Sequence, residues 1–214
     1  MPETVRRRAH FIEQTLPGLQ TEVKVFDGVR YSPGWLGCAM SYQYLARKAL
    51  QTGVAQLEIM EDDVEMPPDY AQRRARVDGW LAAHAGEWDI FAGLIAKIHP
   101  GTQVLEVREQ DGETFVVLDR MTSMVHNIYA QPALEALAQW DSSMRDPHTN
   151  TIDSYLQGRA QMRVVTTLPF LVAHTTDMDS SLWGINNHEY LAVIYKAEQD
   201  LRQLVDRFKQ AQGR

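Results

Sequence analysis

Apolar and polar residues follow one another in short blocks of two kinds. Some blocks repeat every three to four residues, as one face of a helix does. Others alternate or run together over four to six residues, as strands do. Thr4 to Leu16 has the helical spacing, with Val5, Ala9, Ile12 and Leu16 on one side, and Pro17-Gly18 stops it. Glu22 to Phe26 alternates like a short strand, and Asp27-Gly28 turns the chain away. A helix is expected from Leu36 to Leu50, ended by Gly53. A strand-like run, Ala55 to Met60, leads straight into Glu61-Asp62-Asp63. Pro67-Pro68 breaks the chain before a helix over Tyr70 to Ala85 that carries Arg73, Arg74 and Arg76.

Trp88 to Leu94 has the continuous apolar character of a buried strand. Val104 to Val107 and Thr114 to Leu118 flank Asp111-Gly112, a hairpin signal. Met124 to Ala130 is extended, and Pro132 starts a helix that reaches Trp140. Thr151 to Ala160 is helical. Arg163 to Thr166 and Phe170 to Ala173 are short extended pieces. The last element, Asn187 to Gln212, is a long amphipathic helix with Tyr190, Ile194, Ala197, Leu201, Leu204 and Phe208 in its stripe. Helices and strands intermix around one hairpin. That order predicts an α/β domain with a mixed, mostly parallel central sheet flanked by helices and some antiparallel pairing.

Composition narrows the picture. The chain has 214 residues, is 44% apolar and 23% charged, and so has room for one ordinary core. No repeat or linker divides it. The division expected is a domain over 1–186 and a C-terminal helix over 187–214, packed on that domain or on a partner subunit as the seam of a homo-oligomer. Net charge is −7, which argues against coating nucleic acid or anionic lipid. The single cysteine, Cys38, forbids an intrachain disulfide and reads as packing. No apolar run reaches the roughly 20 residues of a membrane span, and the first residues lack a signal peptide's apolar stretch. A soluble, cytoplasmic protein is expected.

Glu61-Asp62-Asp63 carries the most chemistry. Three consecutive carboxylates after an apolar strand repel one another unless something neutralises them. Ligands collect at the carboxyl ends of strands in open α/β sheets. Alternate residues of an extended segment share a side, so Glu61 and Asp63 would converge while Asp62 faces elsewhere. Mn²⁺ or Mg²⁺ takes oxygen ligands of this kind together with phosphate oxygens. The competing reading is a solvated acidic turn. His174, after the Phe170 to Ala173 run, would complete a metal site or meet diphosphate. Arg6, Arg7 and Arg8 form a basic run that would meet phosphate; Lys97 would meet phosphate or acceptor. His126 and His148 carry weaker signals.

Several segments together resemble glycosyltransferase family 25, the lipooligosaccharide-biosynthesis and collagen galactosyltransferase type. Arg6 to Phe11 resembles its Arg-rich helix start, and Val25-Phe26-Asp27-Gly28-Val29 its strand ending in Asp-Gly. Gly37-Cys38-Ala39-Met40-Ser41-Tyr42 resembles its Gly-Cys-x-x-Ser-His helix, and Leu57 to Val64 its strand followed by Glu-Asp-Asp. Trp88-Asp89-Ile90 with Gly93, then Ile152-Asp153-x-Tyr155-Leu156, and finally Pro169 to Val172 with Ser180-Ser181 keep the family's order over residues 6–183. The resemblance implies a GT-A-like nucleotide-sugar-binding domain and metal-dependent, inverting transfer of a hexose, often galactose, from a UDP-sugar. It implies metal contact by Glu61, Asp62 and Asp63, donor contact by Asp27, Gly28 and Ser41, and a general base at Asp153. A glycan, a lipid-linked sugar, a protein or a modified nucleic acid all fit as acceptor.

Two departures stand out. Tyr42 replaces the family's His. The chain also begins at the Arg-rich helix, without the family's opening strand ending in Asn-Leu-Asp. They motivate an alternative, a catalytically degenerate member that binds a partner. A third reading is a Mg²⁺-dependent phosphoryl-transfer or phosphoester-cleaving enzyme using Glu61 to Asp63, weakened by the lack of a phosphate-cradling glycine loop.

Overall fold

The computed structural model describes residues 2–16, 19, 22–159, 162–175 and 187–213. Helix α1 (Pro2–His10) widens into a π-helical turn (Phe11–Thr15), and residues 22–33 form neither helix nor strand before α2 (Gly34–Gln51). Then come β1 (Gln56–Met60), β2 (Val64–Glu65), α3 (Tyr70–Ala83) and β3 (Ile90–Ala92). The middle of the chain forms β4 (Val104–Gln110), β5 (Glu113–Leu118), β6 (His126–Ala130) and α4 (Gln131–Ala138). Two short helices follow, α5 (Pro147–Asn150) and α6 (Ile152–Gln157). Strands β7 (Val164–Thr167) and β8 (Ala173–His174) precede α7 (Asn187–Ala211).

The α/β class is as expected; the direction of the sheet is not. Its six strands lie in the order β1-β6-β3-β7-β5-β4. Only the β3–β7 pair is parallel; every other neighbouring pair is antiparallel. The reason is interleaving. β1 and β3 run the same way, joined across α3, but β6 inserts between them in the opposite direction. The β4–β5 hairpin then adds its antiparallel pair at the far edge. Asp111 and Gly112 turn that hairpin with φ of 52° and 82°, the left-handed geometry that an Asp-Gly pair favours.

The core lies on both faces of this sheet. Trp80 of α3 stacks on Phe115 of β5 at 4.8 Å. Leu36, Ala39 and Ala46 of α2 and Leu134 and Leu137 of α4 are fully buried. On α7 the buried positions are Ile194, Ala197, Leu201 and Val205, so its seam is covered by this chain, with Leu204 and Phe208 only half-buried. None of the described helices is long and apolar enough to cross a membrane.

Two expected features fall differently. Glu22 to Phe26 is not a strand, because β1 ends the sheet and no described strand pairs with the segment; alternation without a partner ladder leaves backbone groups unpaired. Val25, Phe26, Val29 and Tyr31 are consequently exposed. The segment is instead held against α2, where a Cβ on Gly37 would lie 2.3 Å from the Val29 carbonyl oxygen. The basic face of α3 is already spent. Arg73 is buried and forks onto Glu113 (2.9 Å), Arg76 reaches the same carboxylate (3.3 Å), and Arg74 pairs with Glu58 and Asp78. Pro17-Gly18, Ala160, Asp177 and Ser180-Ser181 lie outside the described residues.

Candidate functional site

The site is built where β1 ends. Glu61 continues the β1–β6 ladder through its N–H to the Val125 carbonyl (2.8 Å). Glu61 to Val64 then form a turn rather than an extended run, with the Val64 N–H on the Glu61 carbonyl (3.3 Å). β2 follows at once and pairs antiparallel with β8, setting Val64 opposite His174. The Thr175 N–H donates to the Asp63 carbonyl (2.9 Å). This two-residue ladder brings His174 Nε2 to 3.4 Å from Asp63 Oδ2, and the Tyr190 ring of α7 packs edge-on to His174 at 4.8 Å.

Arg7 closes the acidic turn from the other side. Its Nη2 donates to Asp62 Oδ1 (2.6 Å) and Asp63 Oδ2 (2.7 Å), and its Nε to Asp62 Oδ1 (3.0 Å). Arg7 and Phe11, one helical turn apart, are therefore the buried positions of this segment, while Val5 is 68% exposed. Of the expected stripe, Val5, Ala9 and Ile12 are exposed and only Leu16 packs against the core, because the helix is turned so that Arg7 meets Asp62 and Asp63.

These groups line a cleft of about 460 Å³. Glu61, Asp63, His174 and Arg7 form one end. Asp153 and Ser154 of α6 and Cys38 of α2 also line it, as do Lys97, His99, Thr122 and Gln157. Five residues expected at the site thus share one cavity: Glu61, Asp63, His174, Asp153 and Lys97. Asp62 is not among the lining residues; its carboxylate is spent on Arg7. Glu61 and Asp63 line the same cleft, brought there by a turn and not by the strand alternation expected.

Four expected donor contacts lie elsewhere. Asp27 is 87% exposed at its side chain and pairs with Arg8 at 3.2 Å. Gly28 packs beside Ser41, whose hydroxyl accepts from the Val29 N–H and donates to the Gly37 carbonyl, both at 2.8 Å. The Ser41 hydroxyl therefore ties the loop to α2 instead of facing the cleft. Arg6 is exposed and does not line the cavity; its neighbour Arg7 does. His99, Thr122 and Gln157 escaped the sequence reading, since no local pattern marks residues that meet only through the fold.

The electrostatics follow from burial and neighbours. Burial pushes the Asp63 carboxyl up, but the His174 hydrogen bond and the charges of His174 and Arg7 outweigh it and hold it below the usual range. Glu61 has no such cation of its own. Burial, then the charges of Asp63 and Asp62, push its carboxyl well above the usual range, and Tyr42 offers only a 3.4 Å hydroxyl contact. Tyr42 donates at 3.0 Å to the Met124 carbonyl, so the phenol that stands in place of a histidine is anchored to the backbone. Burial likewise raises the Cys38 thiol, an inert setting for sulfur.

Glu61 and Asp63 are the carboxylates of this turn that could hold a divalent ion, although Arg7 already meets Asp63 Oδ2. Asp63 Oδ1 is buried and has no hydrogen-bond partner, and a cation would relieve the repulsion that raises Glu61. Among the described residues no three His, Cys, Asp or Glu side chains form a complete ligand group. Hard ions need only one or two carboxylates where phosphate oxygens supply the rest. In comparisons with known proteins, the chain matches no protein-family model and no curated protein.

Proposed function

We propose that this chain is a metal-assisted glycosyltransferase that moves a hexose from a UDP-sugar to an acceptor hydroxyl with inversion, in a GT-A-like domain of the family 25 kind. The observation that carries the reading is the cleft itself: an acidic turn with a buried, unpartnered carboxylate oxygen at one end, and a second carboxylate, Asp153, on the facing helix. Glu61 and Asp63 would hold Mn²⁺ or Mg²⁺, which supplies positive charge to a leaving diphosphate. His174 keeps Asp63 ionised and oriented. Asp153 takes the acceptor hydroxyl proton as the acceptor oxygen bonds to the sugar's anomeric carbon. The bond from that carbon to the diphosphate oxygen breaks, and its electron pair leaves with UDP.

Thermal unfolding with UDP-galactose, UDP-glucose and UDP, each with and without Mn²⁺, tests this. A ligand at 100 times its Kd stabilises by about 2.7 kcal/mol, roughly 5–10 °C for a chain of this size. Asp63→Ala should abolish the Mn²⁺-dependent part, and Asp153→Asn should keep the shift and lose transfer. A Mn²⁺-dependent shift that survives Asp63→Ala refutes the reading.

One observation favours the alternative of a degenerate, binding-only member. Arg7 already neutralises Asp62 and Asp63. That reading expects ligand shifts indifferent to Mn²⁺ and no release of UDP from any donor.

A further inference from the structure

The cleft has two ends of opposite sign. At one lies the acidic turn. At the other lies Lys97, an exposed lysine that has no carboxylate partner among the described residues. Lys97 is fixed in place by an antiparallel bridge to Thr122, with the Ala96 N–H on the Thr122 carbonyl at 2.8 Å.

Thr122 also organises the neighbouring side chains. Its Oγ1 lies 2.6 Å from His99 Nε2 and accepts from Gln157 Nε2 at 2.6 Å. These contacts orient the His99 ring, and its Nδ1 has no hydrogen-bond partner among the described residues. An anion here would select the tautomer in which Nδ1 donates and Nε2 accepts from the Thr122 hydroxyl. A lysine and a ring N–H at one cleft wall suit a phosphate or a similar anion.

Asp153 stands between the two ends. Its charge is felt by His99 on one side and by Cys38 and Tyr190, beside the acidic turn, on the other. In an inverting transfer the acceptor arrives opposite the leaving diphosphate, so with the diphosphate at the acidic turn it would come from the Lys97 side. We propose that Lys97 and His99, oriented by Thr122 and Gln157, form a subsite for a phosphate group carried by the acceptor. The anion site rests on the geometry alone; assigning it to the acceptor rests on the transferase reading.

The test is calorimetric titration of the metal-free protein with glucose 6-phosphate, with glucose as the uncharged control, alone and in the presence of saturating UDP. Glucose 6-phosphate should bind at millimolar concentration and glucose should not. Lys97→Gln should weaken binding about tenfold, the loss of one charge-assisted hydrogen bond, and Lys97→Glu should abolish it. His99→Ala should weaken it severalfold. Lys97 is exposed, so unchanged melting curves of its variants will certify folding. UDP should leave the affinity unaltered. No binding, or equal binding by Lys97→Gln, overturns the subsite. Competition by UDP overturns the acceptor assignment and gives the anion site to the donor's diphosphate. Binding of glucose 6-phosphate by a protein that takes no UDP-sugar under any metal condition would sink the transferase reading and leave the anion site standing.

Discussion

Glu58→Gln separates charge from shape at one half-buried carboxylate. Glu58 sits on β1 with its side chain 23% exposed. It accepts from His126 Nε2 at 2.6 Å and from Arg74 Nη2 at 2.9 Å, and also contacts Arg74 Nη1. Burial pushes this carboxyl up, but the hydrogen bonds and charges of His126 and Arg74 outweigh burial and hold it at about 2, against an ordinary 4.5. At about 1.4 kcal/mol per pH unit, that depression is linked to about 3 kcal/mol of folding free energy. Partial solvent screening trims it to about 2 kcal/mol. A depressed carboxyl stabilises fully above its unfolded value and loses the contribution as pH falls through its folded one, so the window runs from about 4.5 down to about 2. Urea unfolding of parent and variant across that range reads the difference directly. The gap should be about 2 kcal/mol at pH 7 and shrink to about 0.5 kcal/mol or less near pH 2. A gap that stays constant with pH would refute the electrostatic account and leave packing as the cause.

Two further predictions concern buried arginines. Arg73 donates to Glu113 and to the carbonyls of Pro169 and Phe170, both at 2.8 Å, so Arg73→Met should cost about 3–5 kcal/mol in urea unfolding because it strands a buried carboxylate. Arg73→Lys should not restore the loss, since an ammonium lacks the fork. Arg7→Ala removes the guanidinium from Asp62 and Asp63. It should lower stability at pH 7 by about 3 kcal/mol, and Mn²⁺ should raise the melting temperature of the variant more than that of the parent.

Much of the fold was legible because local and global signals agree. Asp111-Gly112 names its own hairpin, and the apolar run of Trp88 to Leu94 contains β3, buried on both sides. Glu61 to Asp63 stood out because adjacent carboxylates repel one another, but the turn they form and the pairing of Asp62 and Asp63 with the distant Arg7 were not foreseen. What sequence could not convey is which strands become neighbours. The alternation of Glu22 to Phe26 resembles that of a paired strand, yet pairing depends on an open ladder elsewhere. The insertion of β6 between β1 and β3 leaves no trace in either segment. Roles assigned by resemblance met the same limit: Ser41 spends its hydroxyl four residues back on Gly37, a common helix habit, and Asp27 points to water.

The β2–β8 ladder has a consequence for how the cleft behaves in time. It is only two residues long, yet it joins Val64 and Glu65 to His174 and Ala173, closing one of the longest loops in the chain. The entropy of that closure rests on very few backbone bonds. Asp63 and His174 should therefore part company in excursions that leave the six-stranded sheet intact, and their amides should exchange well before those of β3 or β7. A ligand touching both ends of the ladder would slow that exchange, which makes the amide of Thr175 a built-in reporter of occupancy.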